Sequence, residues 1–272
     1  MDSINYAQYI QQAFLPPKKQ IQALFPESFI FFKPKEVVSG DFYWFSKTNH
    51  QTQQIIDKMY KEGAYKSGSS PKDSSKVVIV AADCTGHGVA GALMSMVGND
   101  ALNKIILERG VTEADKILNL LNFNVLQLLY NQEARGGVGM DISLVVIDSV
   151  AKTMEFAGAV NSLVIIQNNE LRVVKGDMFP IGGEGSRARS FTKQVIDISV
   201  PTTFYMCSDG YRDQFGGDNS KKFGTQQFHQ LLQRIHTEPM PRQEAILKDT
   251  ILRWMKDQDQ LDDMLIMGFR VA

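Results

Sequence analysis

From residue 142 to residue 207 the chain breaks into short apolar runs, at 142–147, 153–157, 162–167, 170–174, 195–198 and 203–207. Turn signals part them, notably Asn168-Asn169, Gly176-Asp177 and Gly182-Gly183. Short runs punctuated in this way read as strands of an antiparallel sheet. Three more strand-like runs lie upstream, at 29–32, 42–46 and 77–82, and one closes the chain at 264–271. Helical periodicity occupies the remaining ground. Ile4, Ala7, Ile10, Phe14 and Leu15 recur at helical spacing before Pro16-Pro17. A helix is expected over 90–108, and a second from Thr112, where Thr-Glu-Ala-Asp has the form of a capping box, to about 132. The apolar stripe of that second helix is Ile117, Leu118, Leu121, Val125, Leu128 and Leu129. Two further helices are expected at 226–235 and 242–256, the latter opened by Pro241. Strands, two helices, strands, two helices and a last strand make an α+β layout, with helix pairs covering the outer faces of a two-sheet core.

No boundary marks a second core in the 272 residues. Residues 1–17 are expected to form an N-terminal helix able to connect to a sensor or coiled-coil region if the chain is a fragment. Residues 18–272 are expected to form one domain, interrupted at about 47–75 by a polar insertion with one short helix near 53–60. With 29 basic and 30 acidic side chains the formal charge is -1, which lacks the basic footprint of a nucleic-acid binder. No stretch approaches the roughly 18 apolar residues of a membrane span, and the N-terminus lacks a signal-peptide layout. Two cysteines make no disulfide framework, so the expected compartment is the cytoplasm.

The chemistry is carried by aspartates that interrupt apolar strands. Asp41 precedes "FYWF", Asp83 ends "VVIVAA", Asp209 follows "TTFYMCS", and Asp262-Asp263 precede "MLIMGFRV". A carboxylate beside a dry core is unfavourable unless a cation or several donors compensate it. Any one of these aspartates is explained by a turn or a cap. Four such places in a chain without a Cys/His cluster point to a hard divalent cation held by oxygen, Mg²⁺ or Mn²⁺. Gly86-His87-Gly88 follows Asp83 and precedes a helix N-terminus, so a substrate anion can approach closely there. His87 reads either as a solvated loop histidine or as a general acid. Cys84 and Cys207 read as small buried apolar residues.

The motifs "SGDFYWF", "ADCTGHGVAGALMS", "GMDISLVVID", "AGAVNSLVII", "GDMFPIGG", "CSDGYRDQFGG" and "DDMLI" occur in the order found in metal-dependent protein Ser/Thr phosphatases of the phosphatase-2C type. The chain most resembles the bacterial branch typified by the stage II sporulation protein E phosphatase domain, over nearly its whole length. The resemblance implies a four-layer αββα sandwich and two Mn²⁺ or Mg²⁺ ions. It implies hydrolysis of phosphoserine or phosphothreonine on a protein by metal-bound hydroxide. Carried over by position, Asp83 bridges the metals, Cys84 contributes its backbone carbonyl, Asp41 serves one metal directly or through water, and Asp209 and Asp262 hold the other. Asp263 is the alternative register for that last ligand, because Leu265 stands where a hydroxyl residue is usual. Asp141 in "GMDISL" matches a recurrent supporting position, and His87 is a proton donor to the leaving oxygen. Lys33 and Lys35 stand where larger relatives carry a phosphate-binding arginine. The implied partner is a phosphorylated signalling protein such as an anti-sigma-factor antagonist, with a homodimer through the N-terminal helix as a further expectation. The competing readings are a silent binding module that keeps the fold, and a phosphohydrolase of small molecules.

Overall fold

The computed structural model describes residues 3–48, 76–130, 138–183 and 189–271. The insertion beyond Thr48, and with it the short helix expected near 53–60, lies outside the described residues. The chain opens with helices α1 (Ser3–Phe14) and α2 (Lys18–Leu24), then strands β1 (Ser28–Lys33), β2 (Phe42–Thr48) and β3 (Lys76–Cys84). Helix α3 (Gly88–Leu102) runs into a π-helical turn, Asn103–Glu108, before α4 (Ala114–Tyr130). Strands β4 (Met140–Asp148), β5 (Thr153–Ala159), β6 (Leu163–Gln167), β7 (Glu170–Val174), β8 (Gln194–Asp197) and β9 (Thr202–Cys207) follow. A short helix α5 (Gly210–Asp213) and a small hairpin, β10 (Phe215–Gly216) with β11 (Lys221–Lys222), lead to α6 (Thr225–Ile235), α7 (Met240–Met255) and β12 (Met264–Val271).

The strands form two five-stranded antiparallel sheets, ordered β1-β12-β9-β6-β7 and β2-β3-β4-β5-β8. The expected α+β, four-layer arrangement is therefore present. Alternation of side chains along each strand builds three apolar layers. Ile79 and Val145 of one sheet meet Phe204, Met206 and Leu265 of the other in the centre. On the outer face of the second sheet, Val78, Val80 and Leu144 pack with Leu102, Leu118 and Val125 of α3 and α4. On the outer face of the first, Tyr205 and Ile266 pack with Phe228, Leu232, Leu247 and Ile251 of α6 and α7. The central strands β3 and β4 are thus covered on both faces, which is why they read as nearly continuous apolar runs.

Two details depart from the sequence expectation. Phe14 is 43% exposed, and the residue of α1 most completely buried is Gln11. Its amide donates to the Ser39 carbonyl at 2.6 Å and to Ser95 Oγ at 3.0 Å, and accepts from Ser39 N–H at 3.0 Å. A buried polar anchor adds to the half-buried Ile4, Ala7 and Ile10 and to Leu15, which packs against the core. In α4, Leu128 is 54% exposed while Ile117, Leu118, Leu121 and Val125 are buried as expected.

Candidate functional site

Side-chain parity explains why the aspartates converge. On β3, Ile79 and Ala81 face the space between the sheets, and so does Asp83, two residues further. The same two-residue step carries Asp41 from Tyr43, Asp141 from Val145 by way of Ser143, and Asp263 from Leu265 and Met267. Each of these carboxylates therefore belongs to the inter-sheet face, at the end of the cleft where β2 begins and β3 ends. Asp83 lies within β3 rather than just beyond it, one register pair from the strand's end, and its cross-strand partner is Asp141. Like charges directly opposed across a strand pair repel.

Close backbone contacts bring the contributing segments together. A Cβ on Gly40 would lie 2.6 Å from the Gly86 carbonyl oxygen and 3.1 Å from that of Cys84, and one on Gly91 would lie 2.1 Å from Gly86 O. Three glycines thus let the start of β2, the turn after β3 and the first turns of α3 touch through bare backbone. On the other side, a Cβ on Gly210 would lie 1.9 Å from Asp263 O, which sets the Asp209 turn against the Asp262-Asp263 segment. Asp209 caps α5, its carbonyl accepting from Arg212 and Asp213 N–H at 2.9 and 3.0 Å.

The electrostatics follow from this crowding. Asp41 is 2% exposed, and burial, then the neighbouring Asp83, Asp263 and Asp262, push its carboxyl well above the usual range. A hydrogen bond from Ser208 Oγ to Asp41 Oδ2, at 2.6 Å, opposes that rise. Asp83 is pushed up to about 8 by burial and then by Asp209, Asp262, Asp141 and Asp263. Burial and Asp209 raise Asp141 to about 6, and burial, Asp213 and Asp262 raise Asp209. Burial also raises both cysteine thiols, Cys84 with help from Asp83, so neither is poised as a thiolate.

Asp262 and Asp263, adjacent in sequence, have different surroundings. Asp263 is 3% exposed, and both its oxygens are engaged: Oδ1 accepts from Lys35 N–H at 2.7 Å and Oδ2 from Gly40 N–H at 2.8 Å. Asp262 is half-buried, and its Oδ1 accepts only from Asp263 N–H, at 2.8 Å, among the described residues. The Lys33 ammonium bonds to Gln260 Oε1, and burial lowers its pKa. Lys35 enters the site through its backbone N–H. His87 Nδ1 lies 2.5 Å from Glu36 Oε1, both side chains being partly exposed.

Sequence reasoning did not single out Ser208 or Glu36. The Ser208 hydroxyl also accepts from Leu265 N–H at 3.0 Å, so one side chain joins β9, β12 and the start of β2. "CSDG" draws the eye to its aspartate, and nothing local marks the serine before it. Among the described residues no group of three or more His, Cys, Asp or Glu side chains is already gathered as a metal cage. The donors are nonetheless all oxygen, and their mutual repulsion is what a hard divalent cation would relieve.

Residues 73–272 match the family described as stage II sporulation protein E (SpoIIE). The chain is similar to the SiaA-PP2C domain of Pseudomonas aeruginosa, with 30% identity and a TM-score of 0.81 over 100% of this chain and 96% of that one. It is similar in fold to the PP2C phosphatase domain with a fragment of the regulatory domain of SpoIIE from Bacillus subtilis. There the identity is 16% and the TM-score 0.66, over 90% of this chain and 63% of that one. RsbX, solved in complex with magnesium, shares 10% identity and a TM-score of 0.55, over 90% of this chain and 94% of that one. No curated protein matches the sequence.

Proposed function

Because the chain belongs to the SpoIIE family of PP2C-type serine/threonine phosphatase domains, we propose that it hydrolyses phosphoserine or phosphothreonine on a bacterial signalling protein, using two Mn²⁺ or Mg²⁺ ions. One observation carries this reading. Carboxylates from five separate segments, Asp262-Asp263 among them, crowd one end of the inter-sheet cleft, and burial and mutual repulsion raise Asp41, Asp83, Asp141 and Asp209. A fold keeps such an arrangement at a cost, and a cation site is the function that returns it.

Asp83, Asp41, Asp209, Asp262 and the Cys84 carbonyl would hold the ions. Asp263, with both oxygens committed to backbone N–H groups, instead fixes the loop that leads to Asp41. Bound there, divalent ions would supply Lewis acidity, neutralising phosphate charge and making water a better nucleophile near neutral pH. The chain's own residues do the rest. Gly86 and Gly88, at φ 90° and 66°, keep side chains away from the approach to Asp83. His87, extended and half-exposed before α3, would protonate the departing serine or threonine oxygen. A phosphorylated anti-sigma-factor antagonist or a similar small phosphoprotein suits a family of regulatory phosphatase domains.

The test is release of phosphate from p-nitrophenyl phosphate and from a phosphoserine protein, with Mn²⁺ and with chelator. Asp83→Asn and Asp209→Asn are expected to lower turnover by at least about 100-fold, the scale of losing a metal or its orientation. Full turnover by either folded variant would refute the proposal.

A further inference from the structure

Glu36 sits in the loop between β1 and β2, five residues before Asp41, and has so far been given no part of its own. We infer that Glu36 is the positioning residue for His87: its carboxylate fixes the imidazole so that Nε2 is the atom that delivers a proton to the leaving oxygen. The inference rests on the phosphatase reading above and deepens it.

Three observations carry it. First, Glu36 Oε1 and His87 Nδ1 are 2.5 Å apart. An ionised carboxylate only accepts, so Nδ1 must be the donor, and the second proton of the imidazolium is the one on Nε2. Second, Glu36 is held at a fixed place. The backbone N–H groups of Lys35 and Gly40, on either side of it, both bond to the buried Asp263 carboxylate, at 2.7 and 2.8 Å. The loop that carries Glu36 is therefore tied to the segment that carries Asp262. Third, the chain around His87 leaves room for this partner. A Cβ at Gly88 would lie 2.8 Å from Glu36 Oε2, so any side chain there would push the carboxylate off its position. His87 makes no side-chain cap to α3, which frees its ring for Glu36.

A water oxygen bonds to phosphorus as the bond from phosphorus to the serine Oγ breaks. The electron pair of that bond stays on Oγ and takes the proton from Nε2 of the imidazolium. Phosphate leaves with the water's oxygen and protons. The neutral imidazole keeps its Nδ1–H on Glu36 and regains a proton at Nε2 from solvent.

The leaving group separates positioning from structure. p-Nitrophenolate departs as a stable anion and gains little from a proton donor, whereas a serine alkoxide needs one. Turnover of a phosphoserine peptide and of p-nitrophenyl phosphate is measured for the wild type, Glu36→Gln, Glu36→Ala, His87→Ala and the double variant Glu36→Ala/His87→Ala. In Glu36→Ala the ratio of peptide to p-nitrophenyl phosphate turnover is expected to fall roughly 10-fold to 100-fold, as when the partner that orients an imidazole is removed. The double variant is expected to be no worse than His87→Ala, because the two residues act as a unit. Glu36→Gln, which keeps an acceptor without the charge, is expected to fall between wild type and Glu36→Ala. Imidazole ¹⁵N shifts of metal-free protein give a readout independent of activity. His87 is expected to be Nδ1-protonated in the neutral wild type and to shift toward the Nε2-protonated form in Glu36→Ala. An active wild type with an unchanged turnover ratio and an unchanged tautomer in Glu36→Ala would overturn this inference alone. A wild type inert on both substrates would overturn the phosphatase reading, and the catalytic half of this inference with it.

Discussion

At the scale of single residues, the site depends on side chains that are not themselves metal-ligand candidates. Ser208 donates to Asp41 and accepts from Leu265 N–H, so Ser208→Ala removes two hydrogen bonds from a buried junction. Leaving those groups unpaired is expected to cost about 1–3 kcal/mol, read as a lower urea midpoint. The same change removes the one contact that favours the ionised form of Asp41. Mn²⁺ affinity, measured by titration calorimetry, is therefore expected to fall as well. The adjacent Asp262 and Asp263 predict opposite outcomes. Asp262→Asn takes away a charge that repels Asp41, Asp83 and Asp209, so metal-free stability is expected to hold or rise while Mn²⁺ binding weakens. Asp263→Asn offers one carbonyl oxygen where two N–H groups need acceptors, so stability is expected to drop. Finding the stability loss in Asp262→Asn instead would reverse these assignments. The aspartates were legible in the sequence because a carboxylate ending an apolar strand is conspicuous. Ser208 was not, because its partner Asp41 lies 167 residues away and no local pattern encodes that meeting.

At the scale of elements, the long strands and helices were legible because burial on one or both faces imposes a period. The missed elements lack that imprint. Helix α2 buries only Ile21, α5 is a single turn, and β10 and β11 are two residues each. Helix α4 begins at Ala114 rather than at the Thr112 capping box, because Glu155 of β5 reaches across to accept from Ala114 N–H at 3.0 Å. A tertiary acceptor does the work expected of the local cap. The expected helix over 90–108 runs from Gly88 and ends in a π turn, with Arg109 N–H bonding to Lys104 O. The sensitive element is the first part of α3. Gly91→Ala would place a Cβ 2.1 Å from Gly86 O and crowd Gly40 Cα, so helix and turn must separate. Because the contact is backbone on backbone, no rotamer relieves it, and a loss of about 1–3 kcal/mol is expected, as for overpacking. Phosphatase activity is expected to fall further than stability alone explains, since the displaced turn lies between Asp83 and His87. Wild-type activity and urea midpoint in Gly91→Ala would show that the turn yields freely.

At the scale of the whole molecule, the two sheets hold carboxylates from distant parts of the chain in one cleft, and folding must oppose their repulsion. Strand order could not be read from the sequence: β1 pairs with β12, so Ser28 meets Phe269, and only long-range packing selects that neighbour. Stability should therefore carry a charge signature. Asp83, ordinarily near 3.8, is pushed up to about 8, and Asp141 to about 6. Between the ordinary and raised values the folded state binds more protons than the unfolded state, so metal-free stability falls as pH rises. The contribution is fully present below about pH 4 and is lost as pH passes through about 6 and then about 8. In chelator, the melting temperature is expected to be lower at pH 9 than at pH 6. If Mn²⁺ is held by the ionised carboxylates as proposed, it is expected to remove most of that decline. At about 100 times its dissociation constant it adds about 2.7 kcal/mol, a rise of several degrees for a domain of this size. Calorimetric scans at pH 6, 7.5 and 9, with and without Mn²⁺, test both halves. A metal-free melting temperature that rises toward pH 9 would mean that the carboxylates are already compensated within the protein, and the case for a cation in the cleft would fall with it.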